Sequence, residues 1–182
     1  MSRIAPAVPP YPESIQTRLD ALMKGREPLW LFRVLARDER LFARSMGAAL
    51  LDRGHLTLRE REIVILRVCA NNRSEYEWGV HVAVFSARAG LTQEQVAATV
   101  RGSAEQPCWD ARDRLLLRMC DELRDGATLS EPLWGELSAA FSDEAVLELI
   151  LLNGFYRTIS ILTNALDMPL EEFGARFPPI RS

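Results

Sequence analysis

The sequence predicts an all-α fold, and three observations support this. From Ser14 onward, apolar residues recur with the period of a helix along almost the whole chain. The strict alternation of apolar and polar residues that is typical of half-buried strands is absent. Two capping boxes, Thr57-Leu-Arg-Glu60 and Thr92-Gln-Glu-Gln95, stand before apolar runs and mark the beginnings of two helices.

The length and composition indicate one folded domain. A chain of 182 residues, with 48% apolar and 26% charged residues, can build a single hydrophobic core of ordinary globular type. Four prolines before Glu13 prevent a continuous helix at the N-terminus. We therefore divide the chain into an extended, Pro-rich segment over residues 1–13 and a single all-α domain over residues 14–182.

The first helices are predicted from periodicity alone, over residues 19–23, 29–35 and 41–51. Between the starts of the two capping boxes we predict helices over Leu58–Asn71 and Ser74–Ala89, joined by a turn so short that it implies an antiparallel hairpin. Gly54 and Gly90 precede the two capping boxes, where we expect the preceding helices to end in left-handed turns.

Four further helices are predicted after the hairpin, over residues 92–101, 109–124, 131–141 and 143–166. Ser130 and Ser142 are the expected N-caps of the last two. The final helix is apolar on more than one face, which is typical of a central helix or of a subunit interface.

Charge and hydropathy exclude several classes of partner. A net charge of -3 and a pI near 5.5 give no basic surface of the kind that nucleic acid requires. The N-terminus lacks the charged start and apolar run of a signal peptide. The apolar stretch over residues 145–152 is interrupted by Glu148 and is too short to span a bilayer. We expect a soluble, cytoplasmic protein with no nucleic acid or membrane partner.

The cysteines predict no disulfide or metal site. Cys69, Cys108 and Cys120 are widely spaced, without a Cys-x-x-Cys pair, and each stands among apolar residues. A free cysteine in such surroundings usually behaves as a small buried hydrophobe. Cys69 is the exception to test, because the hairpin brings it close to Ser74.

Four residues of the hairpin suggest a site for proton transfer. Ser74, Glu77 and His81 stand at i, i+3 and i+7 and share one face of their helix. A carboxylate four residues away can set the tautomer of His81 and raise its pKa. Glu62 lies on the preceding helix among strongly apolar residues. Keeping a carboxyl group ionised in such surroundings costs free energy, and a carboxyl group of this kind is suited to acid–base work.

Other interpretations of the same residues stay open at this stage. Glu62 would be an exposed partner of Arg59 or Arg61, His81 a hydrogen-bonded core residue, and Ser74 simply an N-cap. The spacing of Glu62, Glu77 and His81 matches no standard metal-binding motif, so we predict no metal.

The arrangement resembles the carboxymuconolactone decarboxylase family, which includes the AhpD-like alkylhydroperoxidase proteins. The resemblance comprises Glu62, eleven intervening residues, Ser74-x-x-Glu77, His81, and later Ala-Gly-Leu-Thr, and it is best over Leu58–Val100. In the peroxidase branch the motif is Glu, Cys-x-x-Cys and a His four residues later. Here Ser74 and Glu77 occupy the two cysteine positions, so thiol–disulfide exchange at this site has no nucleophile.

The resemblance implies an AhpD-like helical bundle built around the hairpin and assembled as a homo-trimer or hexamer. It further implies a lyase of aromatic compound catabolism that needs no cofactor and acts on a small organic acid or lactone. Within it, His81 would be the acid/base, Glu77 its orienting partner and Glu62 a second proton relay.

Substrate binding is assigned to residues around the hairpin turn, namely Arg73, Ser74, Trp78 and Cys69. Arg73 would hold a substrate carboxylate in a bidentate grip. Two other functions compete with the enzyme: a non-catalytic oligomeric binding or scaffold protein, and a peroxidase-related redox protein that uses Cys69. A buried pocket that contains Glu62 and His81, with room for a ligand, would favour the enzyme, and a filled, dry core around them would favour the scaffold.

Overall fold

The computed structural model of the chain describes residues 2–179, so residues 1 and 180–182 of the predicted segments lie outside the described part. Over residues 2–179 all regular secondary structure is helical, which confirms the all-α prediction. The helices are α1 Glu13–Met23, α2 Trp30–Leu35, α3 Glu39–Ala48, α4 Leu58–Asn71, α5 Glu75–Phe85, α6 Gln93–Arg101, α7 Ala111–Gly126, α8 Glu131–Ala140 and α9 Asp143–Ala165.

Helix α4 is the centre of the molecule. It packs against α5, α6, α7 and α9, and the side chains from Glu62 to Leu66 are fully buried. A helix that is covered on all sides must be apolar on all sides, and the run Ile63–Leu66 meets this requirement. Its start is fixed by Thr57 and Glu60, which form both hydrogen bonds of a capping box.

The predicted antiparallel hairpin is confirmed. Helix α4 ends at Asn71, Arg73 takes the left-handed conformation with φ +56°, and α5 begins at Glu75. The Asn72 side chain donates to the Val68 carbonyl at 2.8 Å and satisfies one of the last free carbonyls of α4. Ser74 accepts the Glu77 N–H at 3.4 Å and is the N-cap of α5.

Two helix ends differ from the predictions. Helix α3 ends at Ala48, and the left-handed residue beyond it is Leu50, with φ +49°, so the prediction for Gly54 is wrong. Gly54 instead leaves room for the Glu148 carboxylate, which accepts the His55 N–H at 2.7 Å. Helix α5 ends at Phe85, four residues earlier than predicted, although Gly90 does close the following turn with φ +67°.

The cap of α8 also differs from expectation. Ser130 occupies the N-cap position but its side chain accepts no hydrogen bond from the helix. Its hydroxyl donates to the Glu122 carboxylate at 2.9 Å. Ser142 is the N-cap of α9 as predicted and accepts the Ala145 N–H at 3.3 Å.

Helix α9 is a core helix, which is one of the two roles that its apolar composition predicted. Its 23 residues are long and apolar enough to cross a membrane, but 44% of its most apolar window is buried inside the protein, and it packs against α4, α5 and α8. A long helix in the core of a globular protein can be equally long and apolar. Its outer face carries three strongly exposed apolar side chains, those of Leu147, Leu151 and Ile161.

The C-terminal segment after α9 runs along α5. The Ala175 N–H donates to the Gly79 carbonyl at 3.0 Å, and the Phe177 N–H donates to the Glu75 carboxylate at 2.8 Å. A Cβ at position 79 would collide with the Ala175 carbonyl oxygen. A glycine in the middle of α5 is therefore needed for the close approach of this segment.

Candidate active site

The hairpin brings Glu62 and His81 into contact in the protein interior. His81 Nδ1 lies 2.8 Å from Glu62 Oε2, although 19 positions separate the two residues in the chain. Both side chains are buried, with relative exposures of 0% for Glu62 and 3% for His81. Glu62 is therefore not an exposed partner of the nearby arginines on the outer surface.

The second ring nitrogen of His81 faces another carboxylate. His81 Nε2 lies 3.4 Å from Glu77 Oε1, one helical turn earlier on α5. Glu62 is also contacted by Arg61, whose Nε lies 3.3 Å from Glu62 Oε1. Two carboxylates thus face one arginine and one imidazole, and the four groups balance in charge when the imidazole is protonated.

The surroundings of His81 favour its protonated form. Burial alone would lower the pKa of His81, but Glu62 and Glu77 outweigh this effect and raise it to about 9. In that form the Nδ1 proton is donated to Glu62 at 2.8 Å, and the Nε2 proton faces Glu77 in an ion pair at 3.4 Å. The residue is consequently poised to give a proton rather than to take one.

Aromatic rings and Arg61 complete the surroundings of His81. The ring of Tyr156 stands edge-on to the imidazole, with centroids 5.1 Å apart, and that of Phe85 lies 5.2 Å away. The Arg61 guanidinium lies 5.6 Å from the Phe85 ring centre and donates to the Leu51 carbonyl at 2.9 Å. Sequence reasoning missed Tyr156 because it stands within the apolar pattern of α9, which contains no local sign of a site.

A cleft of about 1460 Å³ opens above His81 and Glu77. Its walls come from residues 22–33 and 46–52, from α5 and α9, and from residues 169–173 of the C-terminal segment. Six aromatic rings line it, those of Trp30, Phe32, Phe85, Phe155, Tyr156 and Phe173. Glu62 does not line the cleft and lies behind His81.

One polar junction holds the wall of this cleft. Glu171 Oε1 accepts the Trp30 N–H and the Tyr76 hydroxyl, both at 2.6 Å. The Leu31 N–H in turn donates to the Tyr76 oxygen at 3.0 Å. The junction fastens α2 and the C-terminal segment to α5, which carries His81.

The four predicted substrate-binding residues do not reach the cleft. Ser74 is buried, and its hydroxyl lies 2.9 Å from the Thr163 hydroxyl. Trp78 is buried and donates to Thr99 Oγ1 at 3.0 Å. Arg73 is exposed in the hairpin turn, away from the cleft lining. Arg73 lies in the hairpin turn, whereas the side chains of Ser74 and Trp78 are buried against Thr163 and Thr99.

The fourth residue, Cys69, is fully buried and also lies outside the cleft lining. Burial raises the pKa of the Cys69 thiol well above its usual range, and the Glu77 charge adds to the effect. A thiol that stays protonated is a poor nucleophile. Of the seven predicted site residues, the structure brings together Glu62, Glu77 and His81.

Comparison with known families identifies a match in the central helices. Residues 39–118 match the model of the carboxymuconolactone decarboxylase family, a range that contains α3, the hairpin, α6 and half of α7. Glu62, Glu77 and His81 all lie within this range. No curated protein sequence is significantly similar to the chain.

Solved structures with the same fold cover almost the whole chain. An uncharacterized peroxidase-related protein from Silicibacter sp. TM1040 has a TM-score of 0.82 at 20% identity, covering 97% of this chain and 96% of its own. A peroxidase-related protein with an AhpD core from Ralstonia eutropha JMP134 has a TM-score of 0.80 at 18% identity, covering 94% and 93%.

A third similar structure is an enzyme with a bound small molecule. It is a cysteine-to-alanine variant of the debrominase Bmp8 in complex with 2,3,4-tribromopyrrole, with a TM-score of 0.77 at 14% identity, covering 93% of this chain and 92% of its own. At these identities the likeness establishes a shared fold.

Proposed function

The chain has the AhpD-like fold and matches the carboxymuconolactone decarboxylase family over residues 39–118, and on this premise we propose a cofactor-independent enzyme that performs acid–base chemistry. Its substrate is a small organic acid or lactone that binds in the cleft above His81. The observation that carries this proposal is an imidazole, held between two carboxylates, that lines an open cleft.

Decarboxylation illustrates the chemistry that this site supports. The bond between the substrate carboxylate and its neighbouring carbon breaks, carbon dioxide leaves, and the electron pair moves into an adjacent carbonyl to give an enolate. The His81 imidazolium then donates a proton to the enolate carbon. Solvent in the cleft restores the proton to His81, so the cycle needs neither an oxidant nor a reductant.

The two glutamates exchange the roles that the sequence suggested. Glu62 is buried behind His81 and makes the shorter contact, 2.8 Å to Nδ1, so it orients the ring and holds its charge. Glu77 lines the cleft beside Nε2, which places it where a proton leaves for the substrate. We propose Glu62 as the positioning residue and Glu77 as the relay that returns a proton from solvent in the cleft to His81.

Arg33 is a better candidate than Arg73 for holding a substrate carboxylate. It lines the cleft, and its guanidinium lies 5.0 Å from the Trp30 ring centre. Its partner Glu27 is 82% exposed, so their 3.2 Å ion pair is weak and can yield to a substrate anion.

The structure gives less support to the two competing functions. A scaffold needs no opening above a buried charged cluster, whereas here His81 and Glu77 line a cleft. A redox protein needs a reactive thiolate, whereas Cys69 is buried and its pKa is raised.

We further propose a cytoplasmic homo-trimer or hexamer with no membrane or nucleic acid partner. The exposed apolar residues of α9 support self-association, since a face of this kind is usually covered by a partner.

The proposed function is tested by screening lactones and β-keto acids for release of carbon dioxide. On a substrate that turns over, His81→Ala or Glu62→Gln should abolish turnover, because either change removes the proton donor or the charge that holds it. The control is His55→Asn, which alters the other histidine, an exposed residue outside the cleft lining. Unchanged kinetics in both site variants would overturn the proposal.

A further inference from the structure

Tyr156 lies beside His81, the proposed acid, and its hydroxyl group suggests a role besides packing. We propose that its hydroxyl is a further catalytic group, which donates a hydrogen bond to the substrate oxygen that becomes negative as the enolate forms. This inference rests on the proposed function and adds the residue that stabilises the oxyanion.

The position of the ring provides the first support. Tyr156 projects from α9 and lines the cleft together with His81 and Glu77. Its ring is perpendicular to the imidazole at a centroid distance of 5.1 Å, and the side chain is only 1% exposed. A substrate bound against His81 in the cleft would therefore lie beside Tyr156.

The hydroxyl provides the second support, because no atom of residues 2–179 forms a hydrogen bond with it. The other buried tyrosine is different, since the Tyr76 hydroxyl is held by Leu31 and Glu171. Among the described residues, the fully enclosed side-chain nitrogen and oxygen atoms without a partner are Trp109 Nε1 and Asn153 Nδ2. The Tyr156 oxygen is not one of these fully enclosed atoms, and the side chain that carries it lines the cleft.

The electrostatic surroundings keep this hydroxyl in its donating form. Burial raises the pKa of Tyr156 well above its usual range, and the charges of Glu77 and Glu62 raise it further. A phenol that stays protonated can donate a hydrogen bond but does not compete with His81 for proton transfer. The two donors thus have different roles, since His81 donates a proton to the enolate carbon and Tyr156 stabilises the enolate oxygen.

The step balances without any further reactant. As carbon dioxide leaves, the electron pair moves onto the carbonyl oxygen, and the Tyr156 O–H shortens its hydrogen bond to that oxygen without giving up its proton. When His81 protonates the enolate carbon, the carbonyl reforms and the hydrogen bond relaxes. Removal of one such donor from an oxyanion site typically lowers kcat by about 10²–10³-fold.

The test uses 4-nitrophenol, which ionises near neutral pH and, as the phenolate, imitates an enolate oxygen. Its absorbance reports which form is bound. We expect the wild-type protein to bind the phenolate in preference to the phenol, and Tyr156→Phe to weaken phenolate binding by roughly tenfold to a hundredfold. Phenylalanine keeps the ring against His81, so a purely packing role predicts no change.

The matched control is Tyr11→Phe, which removes a hydroxyl that donates to the Ala7 carbonyl outside the cleft lining. A second measurement needs no variant: with ¹³C-labelled tyrosine, the Cζ resonance of Tyr156 should shift when the phenolate binds to the wild-type protein. Equal phenolate binding by Tyr156→Phe, preference for the neutral phenol, or no binding to the wild type would each overturn the inference.

Failure of this inference is distinguishable from failure of the proposed function. If His81→Ala abolishes carbon dioxide release while Tyr156→Phe binds the phenolate normally, only the role of Tyr156 is wrong. If His81→Ala leaves turnover unchanged, the proposed acid is wrong whatever Tyr156 does.

Discussion

At the scale of single residues, the protonation state of His81 depends on two opposing effects, its burial and the charges of the neighbouring carboxylates. Loss of water around the imidazole favours its neutral form, whereas Glu62 at 2.8 Å and Glu77 at 3.4 Å favour the imidazolium. The carboxylates prevail because each faces a different ring nitrogen. Arg61 then prevents an excess of negative charge at Glu62.

The raised pKa of His81 predicts how stability depends on pH. The folded-state pKa of about 9 exceeds the ordinary value of 6.5, so the folded state binds the proton more tightly than the unfolded state. The resulting stabilisation is complete below pH 6.5 and is lost as the pH rises to about 9. Urea unfolding across this range should show a loss on the order of 3 kcal/mol.

Glu62→Gln should remove most of that dependence, because it deletes the closer of the two carboxylates. Equal slopes of unfolding free energy against pH in wild type and Glu62→Gln would show that Glu62 does not hold the charge of His81.

The central site residues could be predicted from the sequence because the information is local. Helical spacing places Glu77 beside His81, and a short turn places the helix of Glu62 opposite. Tyr156 could not be predicted, because it comes from α9, 75 positions beyond His81, and reaches the imidazole only through tertiary packing.

At the scale of secondary structure elements, the capping boxes explain why some helix ends were predictable. Thr57 and Thr92 each form both reciprocal bonds of the motif, which fixes the starts of α4 and α6 to the residue. Gly54 offers no comparable bond, and its surroundings are set by Glu148 from a distant helix. A glycine by itself therefore did not identify the end of α3.

The close contact at Gly79 predicts the effect of one methyl group. Gly79→Ala should destabilise the protein by about 1–3 kcal/mol, since the new Cβ forces the Ala175 carbonyl away from α5. Amide hydrogen exchange at Ala175 and Phe177 should rise in the same variant. Thermal unfolding and exchange mass spectrometry provide the measurements.

Gly135→Ala is the matched control, because Gly135 lies in α8 and an added Cβ meets nothing within 4 Å. Alanine there should stabilise the helix by about 0.5–1 kcal/mol. Parallel behaviour of the two variants would contradict the close packing of the C-terminal segment on α5.

At the scale of the whole molecule, the cleft is a product of tertiary structure. Its walls join residues 22–52 to residues 169–173, which are more than a hundred positions apart, and the Tyr76–Glu171 junction holds them together. No local pattern predicts such a space. Glu77 and His81 were therefore predictable from the sequence as site residues, whereas the walls of the cleft and Arg33 were not.

The outer face of α9 carries the prediction about assembly. Leu147, Leu151 and Ile161 are 63%, 64% and 58% exposed, and they follow the spacing of one helical face. If this face is a subunit interface, Leu151→Arg should reduce the assembly to monomers in light scattering coupled to size exclusion. Leu41→Arg, at a 46% exposed position on α3, is the control and should leave the mass unchanged. A monomeric wild type, or an unchanged Leu151→Arg assembly, would exclude this interface.

The most direct test of the account is an NMR titration of the imidazole of His81, with nitrogen labels in both histidines and His81→Asn to assign the resonance. The account predicts an imidazolium at neutral pH that loses its proton at about pH 9, and a lower midpoint in Glu62→Gln. A neutral His81 ring at pH 7, or a midpoint that Glu62→Gln does not move, would contradict the claim that two carboxylates hold a proton ready at the floor of the cleft.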